Sequence, residues 1–423
     1  MNLTRLRIEN LRAFDEAEFE FSDGMNLIVG VNGVGKSTVL DALRILLSHV
    51  PPKFSASRGK KLPFEVDDIQ VKRHTLTAEL TFNFGGVPFI YEVTKNRHPY
   101  VANRLRTGQV RGQAIDTPDT FKWKPEPRKV LKTFRGIDEQ PLAVYFSPRR
   151  SIPSMRKPSA LSVAGERAAA YADALSHREL RLREFAEWWL SRERQAKKNN
   201  APSLLRPLES LKVAAHTFLK SYTNLRAAAK EKGATLLVNK GSDVLDVRQL
   251  SDGERGVLAL VLDLARRLAL ANPKLNDPTH DGKAIVLIDE LDLHLHPQWQ
   301  RTIVNRLEKA FPSCQFIATT HSPQIVGAVG PEKIYIVQPR SKPFQPDQSL
   351  GMDTNWLLKY LMETEERDPE FRQELEEIRK LIDDEEDYDQ AQRRIDKLKA
   401  EIGHFPELER LQTRIDRFTL LEE

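Results

Sequence analysis

The nonapeptide GVNGVGKST, Gly30–Thr38, constrains this chain more than any other stretch. Gly30, Gly35, Lys36 and Ser37 fit the pattern G-x-x-x-x-G-K-[ST]. The apolar MNLIV precedes it, and KSTVLDALRILLSHV follows with apolar residues at helical spacing. A glycine-rich turn between strand and helix lets backbone N–H groups close around phosphate oxygens at the helix N-terminus. In that setting Lys36 is expected to reach the β- and γ-phosphates, and the Ser37 hydroxyl to coordinate Mg²⁺. Asn32, Gly33 and Thr38 complete the expected cradle. ATP and Mg²⁺ are the ligands this pattern predicts.

A second apolar run, AIVLIDE, delivers Asp289 and Glu290 to the carboxyl end of a strand. Read alone, an acidic pair there is commonplace. With a phosphate loop upstream, Asp289 would hold the Mg²⁺ shell and Glu290 would polarise the attacking water as general base. The next strand, CQFIATTHS, brings His321 beside those carboxylates if the two strands are neighbours. A histidine there can hydrogen-bond the γ-phosphate and report its presence. Apolar strands alternating with helices predict a mostly parallel sheet with ligands at the carboxyl ends of its strands.

One polar turn needs explaining. In QLSDGERGVLALVL, Gln249–Leu262, Ser251 stands before a helical run and Glu254 follows three residues later, the pattern of a capping box. Elsewhere TLTAELTFNF and FIYEVTK flank Gly85-Gly86 as a hairpin, and PLAVYFS reads as a short buried strand. Residues 165–232 read as two helices broken at NNAPS, and everything from Thr354 onward reads as charged helix. The 423 residues fit two domains, or one large α/β domain with insertions.

Charge is unevenly shared. Residues 352–423 hold 12 Lys/Arg against 22 Asp/Glu, a balance of −10, so the net +5 leaves +15 on the rest. A basic body invites a polyanion, and segment 51–160 is the candidate for DNA. An acidic helical tail more often meets a protein. No run of eighteen apolar residues occurs, and the charged amino terminus is unlike a secretory signal, so no membrane partner is expected. The single cysteine, Cys314, rules out a disulfide framework and fits the cytoplasm.

Together these residues resemble the ABC-type ATPases. In that family a signature of the form LSxGE caps a helix that points at the γ-phosphate held by the other subunit. LSDGE, Leu250–Glu254, matches it. The resemblance implies that Ser251 and Gly253 complete an ATP site in trans, within a head-to-tail dimer. Leu291-Asp292 fits the family's D-loop. The opening RLRIENLRAFDEAEFEFSDGMNLIVGVNGVGKSTVLDAL looks like the RecF/SMC-related branch, in which residues near Arg12 and Phe14 flank the adenine. DELDLHLHPQWQ and THSP resemble the compact AAA-21/OLD-like ATPases, many of which serve bacterial antiviral defence. The tail looks like the helical C-terminus of Septu-type PtuA ATPases, a less specific match. The implied fold is an ABC-type P-loop NTPase of α/β class. Its expected parts are an N-terminal ATPase half (1–150), an inserted helical lobe (151–240), a C-terminal ATPase half (241–340) and an acidic helical interaction region (341–423).

Two departures stand out. Ser147-Pro148-Arg149-Arg150 occupies the place of the family's Q-loop glutamine. Arg149 there is open to two readings, a phosphate or DNA contact and an ion-paired structural arginine. His294 and His296, two apart with no third ligand nearby, favour packing and D-loop positioning over a metal site. Neither a Toprim nor an HNH pattern is found, so any nuclease is expected on another polypeptide. The leading expectation is a sensor ATPase of a defence system that controls a separate nuclease, with a PARIS-type ATPase as a near variant. The alternatives are a RecF-like clamp on duplex DNA and a scaffold whose nucleotide only fixes assembly.

Overall fold

Five strands with no exposed residue can be satisfied only inside a sheet covered on both faces, and they pair in parallel. The structure, a computed structural model, describes residues 1–55, 59–97, 118–126, 140–151, 167–177, 182–231, 233–339, 341–362, 369–384 and 387–422. It divides into two units, Met1–Leu357 and Leu358–Glu423. The first three expected segments fall within the first unit. Much of the proposed DNA segment, including 98–117, 127–139 and 152–160, lies outside the described residues.

In chain order the strands of the first unit are β1 (Asn2–Leu11), β2 (Phe14–Glu20), β3 (Met25–Val29), β4 (Thr75–Phe84), β5 (Val87–Asn96), β6 (Thr120–Lys124), β7 (Leu142–Phe146), β8 (Thr223–Lys230), β9 (Gly233–Lys240), β10 (Asp243–Asp246), β11 (Ala284–Ile288), β12 (Gln315–Thr320) and β13 (Ile334–Ile336). The parallel sheet has the order β13-β3-β12-β11-β7. An antiparallel sheet, β2-β1-β4-β5-β6, carries the expected hairpin, with Phe84 opposite Val87 across Gly85-Gly86. Helix α1 (Lys36–His49) buries Val39, Leu40, Leu43, Leu46 and Leu47 in a core shared with both sheets. Each of these side chains contributes about 2 kcal/mol by leaving water.

Further helices are α2 (Leu182–Lys198), α3 (Arg206–Phe218), α4 (Asp252–Ala271) and α5 (Pro297–Ala310). Helix α2 packs against β9 and α3 against α4. A buried ion pair, Glu184 to Arg266 at 3.0 Å, ties α2 to α4. The lobe expected to be helical over 151–240 is corrected here, because α3 ends at Phe218 and TNLRAAAK is β8, not helix. The chain turns at Tyr222, whose N–H donates to Leu219 O, and Asn224 takes a φ of +51°. Antiparallel pairing of β8 with β9 then outweighs the helix propensity of three consecutive alanines.

The second unit contains α6 (Pro369–Asp383), α7 (Tyr388–Ile402) and α8 (Pro406–Glu422). Their apolar stripes meet in a separate core through Ile378, Ile382, Ile395, Leu408 and Leu411. Arg394 pairs with Glu374 and Glu377 across α6 and α7.

Candidate active site

The register of the parallel sheet assembles the site. Thr320 lies opposite Val29, and Ile288 opposite both Ala318 and Phe146. The residues that follow these strands, Gly30, Asp289-Glu290, His321 and Ser147-Arg150, therefore emerge together at the carboxyl end of the sheet. The condition on His321 is met, because β12 lies between β3 and β11.

Gly30–Thr38 forms the loop between β3 and α1. Two of its glycines have steric reasons. Gly30 (φ +159°) is packed on Val337 O so closely that a Cβ would overlap it, and a Cβ on Gly35 (φ +108°) would stand 2.8 Å from Phe14 Cε2. Asn32, Gly33 and Ser37 are exposed, whereas Thr38 is buried. Lys36 is almost fully buried, and its ammonium donates to Gly30 O (2.9 Å) and Val31 O (2.8 Å). Burial lowers its pKa, and Asp289, Asp292 and Glu290 oppose that shift.

Thr319, wholly buried at the end of β12, organises the carboxylates. Its hydroxyl donates to Asp289 Oδ1 at 2.6 Å and accepts from the Glu290 N–H at 2.8 Å. The Ser37 hydroxyl donates to the same Asp289 Oδ1 at 3.3 Å. Thr320 Oγ1 and the His321 N–H both donate to Asp292 Oδ1, fixing the D-loop to β12. Glu290 takes a φ of +50°, which L-residues adopt rarely. Burial first, then Lys36, lowers the pKa of His321, leaving a neutral ring that can donate and accept at neutral pH.

Sequence reasoning looked at Arg149 and missed Arg150. Arg149 is exposed, whereas Arg150 is buried and donates from Nη1 to Asp289 O and from Nη2 to Glu290 O, both at 2.6 Å. No motif announces this role, because its acceptors are backbone carbonyls 139 and 140 residues away. The one signal was an arginine pair where the related family has glutamine.

Ser251 and Gly253 stand apart from this cluster. Ser251 closes the capping box, its Oγ accepting from the Glu254 N–H at 3.3 Å while its own N–H donates to Glu254 Oε2 at 3.1 Å. The Tyr222 hydroxyl donates to the other carboxylate oxygen of Glu254 at 3.0 Å. Gly253 packs against His294 O. Arg12 (φ +48°) is ion-paired at 2.9 Å with Asp41 and at 2.8 Å with Asp68, which leaves its guanidinium half-exposed beside the Phe14 turn. His296 Nδ1 accepts from Gln298 N and caps α5. Cys314 is buried, its thiol pKa pushed up to about 12 by burial.

The donor set suits a hard divalent cation. A hydroxyl, Ser37, and a carboxylate, Asp289, face one point at the mouth of the loop, the sparse protein shell that Mg²⁺ takes beside phosphates. Among the described residues, no group of three or more His, Cys, Asp or Glu forms a metal cage of its own.

A family described as "AAA domain, putative AbiEii toxin, Type IV TA system" matches residues 25–327, most of the chain. The chain belongs to this AAA_21 family. It is an ABC-type ATPase, with the nucleotide as its ligand. AAA_21 membership agrees with the similarities to individual proteins. The Retron Ec83 probable ATPase of Escherichia coli is 27% identical over 446 residues, covering 90% of this chain and 80% of that protein. The Retron Vc95 probable ATPase of Vibrio cholerae is 27% identical, covering 82% and 79%. Septu protein PtuA of Bacillus thuringiensis is 24% identical, covering 77% and 73%. A solved SmcHead bound to the C-winged helix domain of ScpA superposes with a TM-score of 0.50 at 15% identity, covering 82% of this chain and 98% of that one, and shows the fold alone. Among the described residues no helix is long and apolar enough to cross a membrane.

Proposed function

We propose that this chain is the ATP-hydrolysing sensor of a bacterial antiviral defence complex in the cytoplasm, closing head to tail on ATP and controlling a separately encoded nuclease. One observation carries the ATP-site half of this reading. Lys36, Ser37, Asp289, Glu290 and His321 gather at the carboxyl end of the parallel sheet, while the capped end of α4 at Ser251 is exposed and hydrogen-bonded to its own Glu254. The Ser251 hydroxyl would exchange Glu254 for an anion brought by a second copy, and the helix N-terminus would favour that charge. The likeness to Septu and retron ATPases supports the defence half.

ATP enters with its phosphates on the Gly30–Thr38 loop, and Lys36 turns from the Gly30 and Val31 carbonyls to the β- and γ-phosphate oxygens. Ser37 and Asp289 would hold Mg²⁺, which would supply positive charge beside those oxygens. Glu290 takes a proton from the water that attacks the γ-phosphorus in line. The bond to the β,γ-bridging oxygen breaks, leaving ADP and phosphate. His321 hydrogen-bonds the γ-phosphate, and the partner's signature turn, Ser251 with Gly253, covers its far side. Arg12 and the Phe14 turn border the adenine. The acidic C-terminal unit is the dock for the effector, and the four-segment division retains 1–150 and 241–340 as the two ATPase halves.

A tagged pull-down of the chain from its native cells, with mass spectrometry of what it retains, tests this. Stoichiometric recovery of a small nuclease supports the reading. Recovery of repair proteins or duplex DNA without a nuclease overturns it in favour of a RecF-like clamp acting through 51–160.

A further inference from the structure

We propose that Arg150 is a positioning residue that transmits movement of the signature helix to Glu290, so that events at one nucleotide site set the geometry of the base in the other. The inference rests on the reading of Glu290 as general base and of Ser251 as the contact to the partner's nucleotide.

The turn that bears Arg150, Pro148–Ser151, follows β7 and packs against α4. Arg150 lines a small enclosed space together with Gly256, Val257 and Leu260 of α4 and with Leu291 and Leu293 of the D-loop. Gly256 and Val257 lie about one and a half helical turns beyond Ser251, so the helix end proposed to face the partner and the face that touches Arg150 belong to one helix.

From that seat the guanidinium reaches Asp289 O and Glu290 O at 2.6 Å each and Ser147 O at 3.3 Å. Every hydrogen-bond acceptor the structure gives it among the described residues is a backbone carbonyl. A planar fork can span two consecutive carbonyls, and a lysine ammonium cannot hold both in the same geometry. The clamped peptide is also the one in which Glu290 adopts its rare φ of +50°. The direction in which the Glu290 side chain leaves the backbone is thus held from one side by Arg150 and from the other by the Thr319 hydroxyl on its N–H. Burial lowers the pKa of Arg150 to about 10, which still leaves it charged at neutral pH. A shift of α4 moves the turn, and with it the carbonyl to which the base is tied.

Steady-state ATP hydrolysis by the full chain, with nucleotide affinity measured separately, is the test. Wild type and Glu290→Gln fix the scale. Arg150→Lys is expected to lower kcat about 100-fold, the loss that a misplacement near 1 Å brings, with ATP affinity within about threefold of wild type. The dependence of rate on ATP is expected to be cooperative in wild type and hyperbolic in Arg150→Lys. Arg150→Ala behaves the same way and regains turnover when millimolar guanidinium is added, whereas wild type gains nothing. A merely structural arginine would lower stability and affinity together without that split or that rescue. Wild-type kcat and cooperativity in folded Arg150→Lys would overturn this proposal and leave the ATPase reading standing. No turnover in wild type would sink both.

Discussion

Gly253 lies so close to the carbonyl oxygen of His294 that a single methyl group would overlap it. The signature turn and the segment that follows Leu291-Asp292 in the same chain are therefore in van der Waals contact, whatever Gly253 does for a second copy. Gly253→Ala is expected to destabilise the first unit by about 1–3 kcal/mol through overpacking, and to lower turnover by displacing the D-loop. Thermal unfolding beside phosphate release measures both effects. An alanine variant with wild-type melting would show that the contact yields freely.

The trans site has a stricter test. In the proposed arrangement Ser251→Arg would block the cap offered to the partner, and Lys36→Ala would empty the chain's own loop. Each variant alone should be inactive. Mixed in equal amounts, random pairing makes half of the dimers mixed, and each of these retains one intact site of two, so at most about a quarter of wild-type turnover returns, and less where the dead site no longer sets the base in the intact one. Two inactive variants that remain inactive when mixed and shown to pair would mean the site is completed within one chain.

Glu290→Gln separates chemistry from binding. The amide keeps the shape of the side chain but cannot take the proton, so kcat should fall about 10²–10⁴-fold with ATP still bound. Light scattering with ATP present should show the dimer accumulating. Defence retained by this variant in cells would favour a scaffold whose nucleotide only fixes assembly.

Asp246 gives a pH prediction away from the chemistry. Burial alone would raise its pKa, but donation from Arg248, Lys230 and Thr235 outweighs it and holds the carboxyl far below the usual range. A depressed folded pKa stabilises above the unfolded value of about 3.9 and loses that contribution as pH falls through it toward the folded one. Asp246→Asn should therefore cost about 2 kcal/mol near neutral pH, with the gap to wild type closing below about pH 4. Paired thermal melts across that window measure the gap, and a constant gap would contradict the assignment.

The phosphate loop was legible because its chemistry is local. Gly30, Gly35, Lys36 and Ser37, the residues proposed to hold the phosphates, lie within one turn between a strand and a helix, so spacing alone describes them. Asp289 and His321 were legible as strand-end residues, but their adjacency depended on a strand order that no local pattern states. Arg150 was not legible, because its acceptors are peptide carbonyls, and any sequence supplies those. The strand at Thr223–Lys230 was misread for the opposite reason. Its alanines carry a helical preference of their own, and the pairing that overrules it lies on another strand.

The sheet register has one further consequence. Val29, Ile288 and Thr320 are far apart along the chain, yet hydrogen bonds between parallel strands hold the residues after them side by side. The connections between those strands can lengthen, shorten or be replaced at little cost, provided the pairing survives. Inheritance in such a layout has two speeds. The proposed reaction centre depends on the weave of the sheet, and the lengths of the segments that join its strands do not enter into it.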